Sequence, residues 1–165
     1  MRQLVMTLAV AGVIWAGSPP GSMAGTPAQD IESALAVFSA GRHPARAEVQ
    51  GALARLVESA SRIALDAGLP APARERLAVA AANYAAGGFL EPENVATVHR
   101  AYEVVNEGRA FVFPRDVGSI EEARKYGEGQ IERALAALDA GRSRETVREV
   151  LGCVLLVTTP MEKPE

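Results

Sequence analysis

One apolar stripe repeats at helical spacing and restricts the fold more than any other feature of the sequence. Its members are separated by 4, 3, 4, 3 and 4 residues: Val49, Leu53, Leu56, Ala60, Ile63 and Ala67. Such spacings place side chains on one face of an α-helix, and that face has to be covered by other helices. We therefore expect a helix that opens at Pro44, ends at Gly68 and lies in a bundle.

Glycine and proline divide the rest of the chain into further helices. Thr26-Pro27-Ala28-Gln29 combines a capping hydroxyl, a first-turn proline and a glutamine three residues after the cap, which predicts a helix that runs to Ala40. Later helices are expected to begin at Pro72, Pro92, the capping box Ser119 to Glu122, and the cap Ser143. The sequence thus predicts an all-α, bundle-like array of five or six helices.

Two stretches leave alternatives open. Residues 150–157 are apolar on every side, so they fit a buried helix end or a strand, and helix is the preferred interpretation. Residues 31–42 (IESALAVFSAGR) match residues 131–142 (IERALAALDAGR) at eight of twelve positions. This match indicates either an internal duplication or the chance similarity of two alanine-rich helices that end in glycine.

The first 24 residues have the features of a bacterial-type secretory signal peptide. Arg2 precedes an apolar run, and small residues follow at Ser22 and Ala24. We expect cleavage after Ala24, which leaves 25–165 as a single helical domain with a short polar tail at 160–165. The predicted location is periplasmic or secreted. An uncleaved anchor formed by residues 4–16 is the alternative, although this run is shorter than the roughly 20 residues of a membrane span.

Composition excludes several functional classes. The net charge of the 165-residue chain is -3, and its basic residues are dispersed, which disfavours nucleic acid as a partner. Its single cysteine, Cys153, cannot form a disulfide within the chain and lies in a core-like run, so it is expected to pack as a small apolar residue. A reactive or intermolecular thiol is the alternative.

Motifs for catalysis, metals or cofactors are sparse. His99 and Glu103 are four residues apart on the fourth helix and form a weak candidate for a metal site, but the Glu-x-x-His motif of di-iron bundles does not occur. No haem-attachment, phosphate-loop or nucleophile-elbow pattern is present. No cofactor, resident metal or catalytic residue is predicted.

The segment from Gly108 to Gly118 is the least helical part of the domain. It places two aromatic rings among charged side chains in a connection longer than most links between helices, and unusual loops often carry function. The candidate binding residues are Arg109, Phe111, Phe113, Arg115 and Asp116. The competing interpretation is that both rings only cover the end of the core.

The sequence therefore favours an exported helical accessory or scaffold protein that acts by interaction with a protein partner, which includes the case of a membrane complex. A periplasmic carrier of a small hydrophobic ligand is the alternative, and an enzyme is the third hypothesis. A carrier requires an enclosed apolar cavity of about 300 Å³ or more. An adaptor requires an exposed apolar patch.

Overall fold

The computed structural model describes residues 25–88 and 91–161. Within these residues the chain forms α-helices and no strand. The helices are α1 (Pro27–Phe38), α2 (Arg46–Arg62), α3 (Ala71–Ala85), α4 (Pro92–Val105), α5 (Ile120–Asp139) and α6 (Ser143–Thr158). The all-helical, bundle-like prediction is confirmed, and the predicted signal peptide and the last four residues of the polar tail lie outside the described residues. No described helix is long and apolar enough to cross a membrane.

Two helices begin with the side-chain caps that the sequence predicts. The Thr26 hydroxyl accepts a hydrogen bond from the Gln29 backbone N–H (3.2 Å), and the Thr26 backbone N–H donates to the Gln29 side-chain oxygen Oε1 (2.8 Å). At the start of α5, the Ser119 hydroxyl accepts from the Glu122 backbone N–H at 3.1 Å. These bonds satisfy backbone donors that have no partner inside the helix.

Four predicted helix boundaries are corrected. α1 ends at Phe38 instead of Ala40, and α2 begins at Arg46, because the Glu48 carboxylate accepts from the Ala45 backbone N–H and so makes Ala45 the cap. Ser143 is the first residue of α6 and does not cap it, since Arg142 occupies that position. α3 begins one residue before Pro72.

The stripe in α2 extends beyond the regular helix. α2 ends at Arg62, where the hydrogen bonds change to shorter turns such as Gly68 N–H to the Leu65 carbonyl (3.1 Å). Ile63 and Ala67 nevertheless remain buried, and Gly68 adopts a left-handed φ of 85° that only glycine takes readily. The predicted burial pattern therefore holds even though the predicted helix is one turn too long.

The helices form two facing rows of three. One row is α1, α2 and α3 in that order, and the other is α5, α6 and α4. The rows meet through α1 with α5, α2 with α6, and α3 with α4. Residues 150–157 belong to α6, which settles the choice between helix and strand in favour of helix.

The direction of each helix follows from which helix ends lie together. Phe38, Val49, Ile120 and Leu156 meet at one end of the array, called here the Ile120 end. Val105 and Ser143 meet at the other, the Ser143 end. Both α4 and α5 therefore run antiparallel to α6 and parallel to each other. A parallel pair cannot be joined by a tight turn, so the 106–119 connection has to return along α4, a distance of about 21 Å.

The two matching sequence segments occupy equivalent positions. Ile31 and Ile131 are both fully buried, and Gly41 and Gly141 follow their helices with φ values of 74° and 75°. α1 packs on α5 and α2 packs on α6, so the hairpins α1–α2 and α5–α6 face each other. The two segments that match in sequence therefore also occupy equivalent positions in the two hairpins.

Leu56→Ala is expected to lower the free energy of unfolding by about 2–5 kcal/mol, because Leu56 is completely buried and its loss leaves a cavity. Urea unfolding followed by circular dichroism measures the effect. Leu65→Ala is the matched control, since Leu65 is 67% exposed and should change stability by less than about 0.5 kcal/mol. A similarly small loss for Leu56→Ala would contradict the assignment of this face to the core.

Candidate functional site

The predicted binding residues all lie on the connection between α4 and α5. Asn106 fixes its start by donating from its side chain to the Arg109 carbonyl (3.0 Å), and buried Val117 fixes its end. Between these points the chain is extended and follows no regular element. We call residues 109–114 the strip.

Side chains alternate along the strip between the protein and the solvent. Phe111 and Phe113 are half-buried, whereas Val112 between them is 78% exposed. Phe111 packs with its ring centroid 5.7 Å from Tyr102 and 6.5 Å from His99, both on α4. The Phe111 ring therefore partly covers the core, and the sequence reasoning missed Val112 as the apolar side chain that faces outward.

Charged side chains flank the strip at each end. Arg109 lies 3.4 Å from Glu107, and both side chains are mostly exposed, so this ion pair contributes little stability. Arg115 and Asp116 are exposed beyond the other end. The structure thus distributes these three charged candidates about the strip without gathering them into one polar pocket.

The middle of the strip leaves its main chain unpaired. The backbone N–H and C=O groups of Ala110 to Phe113 make no hydrogen bond with another described residue. Extended backbone with free donors and acceptors is the feature by which a sheet edge pairs with a further strand. The strip can therefore offer main-chain hydrogen bonds as well as the Val112 side chain.

Of the two residues of the weak metal candidate, His99 packs against an aromatic ring. His99 contacts Phe111 edge-on, and Glu103 lies one turn further along α4. Across the described ranges 25–88 and 91–161, no three or more His, Cys, Asp and Glu side chains are grouped so that they could hold a metal.

A second site lies at the Ile120 end, where four helix ends leave an open apolar pocket of about 300 Å³. Its walls come from α1, α2, α5, α6 and the residues after α6, and they include Phe38, Pro44, Val49, Ile120, Ala123, Leu156, Val157 and Met161. Sequence reasoning missed this pocket because each of its apolar residues fits an ordinary core position, and no local signal shows that the helix ends stop short of closing the core.

Arg124 is the charged residue most enclosed at this pocket. Its side chain is 9% exposed, donates to the Phe38 carbonyl, and pairs with Glu121 at 2.5 Å and Glu128 at 3.6 Å. The hydrogen bond from Arg124 lowers the pKa of Glu121. Because Arg124 is already neutralised, the pocket suits an uncharged apolar group better than an anion.

Cys153 lies in the core, as the sequence predicts. Its thiol is fully buried, and burial raises its pKa to about 12. A methyl group on Gly127 of α5 would lie 3.3 Å from its Sγ atom, so the absence of a side chain at Gly127 makes room for the sulfur.

The native protein is expected to resist thiol reagents, because neither access nor the thiolate form is available at neutral pH. Ellman's reagent should label less than about a tenth of Cys153 in buffer at pH 8 and all of it in 6 M guanidinium chloride. Rapid labelling of the folded protein would show that α6 opens at this position.

No family model, curated protein or solved structure matches this chain. The fold, the strip and the pocket are therefore the observations from which a function has to be inferred.

Proposed function

We propose that this protein is an exported accessory or scaffold protein that binds a protein partner along the strip. Export through residues 1–24, with cleavage after Ala24, places it in the periplasm or outside the cell. The observation that carries the proposal is the exposed Val112 on an extended segment whose main chain is unpaired from Ala110 to Phe113.

The strip matches one established mode of recognition, in which an extended partner segment pairs with an exposed edge. Main-chain hydrogen bonds then give affinity, and side chains above and below the edge give specificity. Each end of the strip carries one basic and one acidic exposed side chain, Arg109 beside Glu107 and Arg115 beside Asp116, so the ends add no net charge to the contact.

Capture of partners from the native periplasmic fraction tests this proposal. Val112→Asp should reduce the captured partner at least about tenfold, because it places a charge at the centre of the contact. Its melting temperature should stay within about 2 °C of the wild type, since exposed substitutions seldom change stability.

Val79→Asp provides the matched control, because Val79 is also an exposed valine, at 61%, but lies on a different element, α3. Capture should remain at the wild-type level in this variant. Equal capture by the Val112 and Val79 variants would rule out the strip as the binding surface.

A carrier of a small hydrophobic ligand is the second candidate function, and the apolar pocket at the Ile120 end favours it. Its volume of about 300 Å³ is at the lower limit of small-molecule sites. The pocket is open to solvent and so lacks the enclosure expected of a carrier, which is why this function is the second candidate.

Ala123→Phe is expected to fill this pocket, because Ala123 is a half-buried residue of its wall. The probe is N-phenyl-1-naphthylamine, an uncharged apolar dye, whose fluorescence should rise saturably with the wild type and at least about fivefold less with the variant. Val79→Phe adds the same ring elsewhere on the surface and should bind the probe as the wild type does. A linear, unsaturable response from the wild type would exclude the carrier function.

A further inference from the structure

We propose that removal of residues 1–24 creates a new ion pair, in which the α-ammonium of Gly25 binds the buried carboxylate of Asp30. This inference rests on the proposed export and on cleavage after Ala24. It assigns a role to a buried acidic side chain that neither proposed binding surface uses.

Asp30 is a buried carboxylate, and one of its two oxygens lacks a hydrogen-bond donor. It lies in the first turn of α1, is 6% exposed, and its Oδ2 atom makes no hydrogen bond with any described residue. The nearest cation is Arg62, whose Nη1 atom is 3.6 Å from Oδ2, which is beyond hydrogen-bond distance. Burial raises the pKa of Asp30, and Arg62 and Arg55 of α2 partly offset this. A buried carboxylate with few hydrogen bonds is costly. Because both oxygens share its negative charge, a further donor at Oδ1 would offset part of this cost even though Oδ2 faces Arg62.

Gly25 lies on the other side of the same carboxylate. A methyl group on Gly25 would lie 3.5 Å from Oδ1 of Asp30 and 2.9 Å from Oε1 of Gln29. Since a backbone nitrogen is about 2.5 Å from a Cβ position on the same residue, the Gly25 nitrogen lies within about 6 Å of Oδ1. A rotation of about 120° about the Cα–C bond of this terminal residue would place the nitrogen where that methyl group lies, 3.5 Å from Oδ1, without moving the Gly25 carbonyl.

Neighbouring bonds hold Gly25 at this place. Arg62 donates to the Gly25 carbonyl, and the reciprocal cap between Thr26 and Gln29 fixes the next residues. The crowding at Gln29 also explains why a residue without a side chain suits position 25, because any Cβ there would collide with that amide.

Cleavage changes the chemistry of the Gly25 nitrogen. In the precursor it is a neutral amide with one hydrogen. A signal-peptide-cleaving protease adds water across the bond between Ala24 and Gly25, so that the water oxygen joins the Ala24 carbonyl carbon and both of its hydrogens end on the Gly25 nitrogen. The products are a carboxylate on the released segment and an ammonium group on Gly25, which can donate to Asp30.

The charges around the Asp30 carboxylate determine how far the pKa of the Gly25 α-ammonium shifts. Arg62 and Arg55 both face Asp30 from α2 and oppose a further cation. Arg62 approaches Oδ2, whereas Gly25 lies beside Oδ1, so the ammonium and Arg62 occupy different oxygens. We therefore expect the carboxylate to outweigh the arginines and to raise the pKa of the α-ammonium above its ordinary value of about 7.7–8.0.

The processed chain, with a charged α-ammonium at Gly25, should consequently be more stable than a chain whose Gly25 nitrogen carries no charge. A raised pKa stabilises the fold fully below the ordinary pKa of the amine, and the gain is lost as the pH rises through the folded value. The difference should thus be complete at pH 6.5 and vanish above about pH 10.

The experiment compares the chain 25–165 with a free α-amine and with an acetylated one. All the described helices begin after residue 25, so both chains keep the entire core. Acetylation should lower the melting temperature at pH 6.5 by at least about 3 °C in the wild type and by less than about 1 °C in Asp30→Asn. Nuclear magnetic resonance of ¹⁵N,¹³C-labelled Gly25 should give an α-ammonium pKa at least about 0.5 units above its ordinary value.

An α-ammonium pKa at or below its ordinary value would overturn the proposal, and this measurement does not depend on the folding of any variant. Equal losses on acetylation in the wild type and in Asp30→Asn would also overturn it. Mass spectrometry of the exported protein should find Gly25 at the N-terminus, and a different first residue would refute the role in processing. None of these measurements involves a partner or an apolar ligand, so their outcome is separable from that of the proposed binding function.

Discussion

The fold depends on the burial of the C-terminal half of α6 on all of its sides. Its residues from Val150 to Leu155 are completely enclosed, because α2, α4 and α5 each pack against this helix. A helical segment without a polar face has to lie at the centre of a bundle. The outer helices are amphipathic and cover it, so their order around α6 determines which ends meet and where the pocket and the connection lie.

Close packing around α6 is achieved with small residues at two points. Gly127 of α5 lies against Cys153, and a methyl group on Gly152 of α6 would lie 3.0 Å from the Gln130 side chain and 3.5 Å from Tyr102. A glycine inside a helix costs up to about 1 kcal/mol relative to alanine. At these positions that cost is offset because the neighbouring helices approach closely enough to fill the space.

Much of the fold follows from local sequence signals. Spacings of three and four residues identify the buried faces of α2 and α4, and caps such as Thr26 and Ser119 identify where helices begin. Boundaries such as Arg46 and Arg62 were missed because they depend on a carboxylate cap and on a change of turn type, which composition alone does not reveal.

The candidate sites were less predictable than the helices. The unusual composition of residues 108–118 indicated the connection, but only the parallel arrangement of α4 and α5 explains its length. The outward position of Val112, the pocket at the Ile120 end and the proximity of Gly25 to Asp30 all depend on contacts between distant parts of the chain. No spacing within a single segment encodes them.

The central position of the last helix also governs the order in which the chain can assemble. Residues 27–139 form five helices, yet the apolar faces of α2, α4 and α5 have no central partner until residues 143–158 are present. A chain that emerges from a ribosome or a translocation channel from its N-terminus onward therefore cannot complete its core before its C-terminal part has emerged. Fragments that end before α6 would leave these faces uncovered, so the domain cannot be shortened from that side and still close its core.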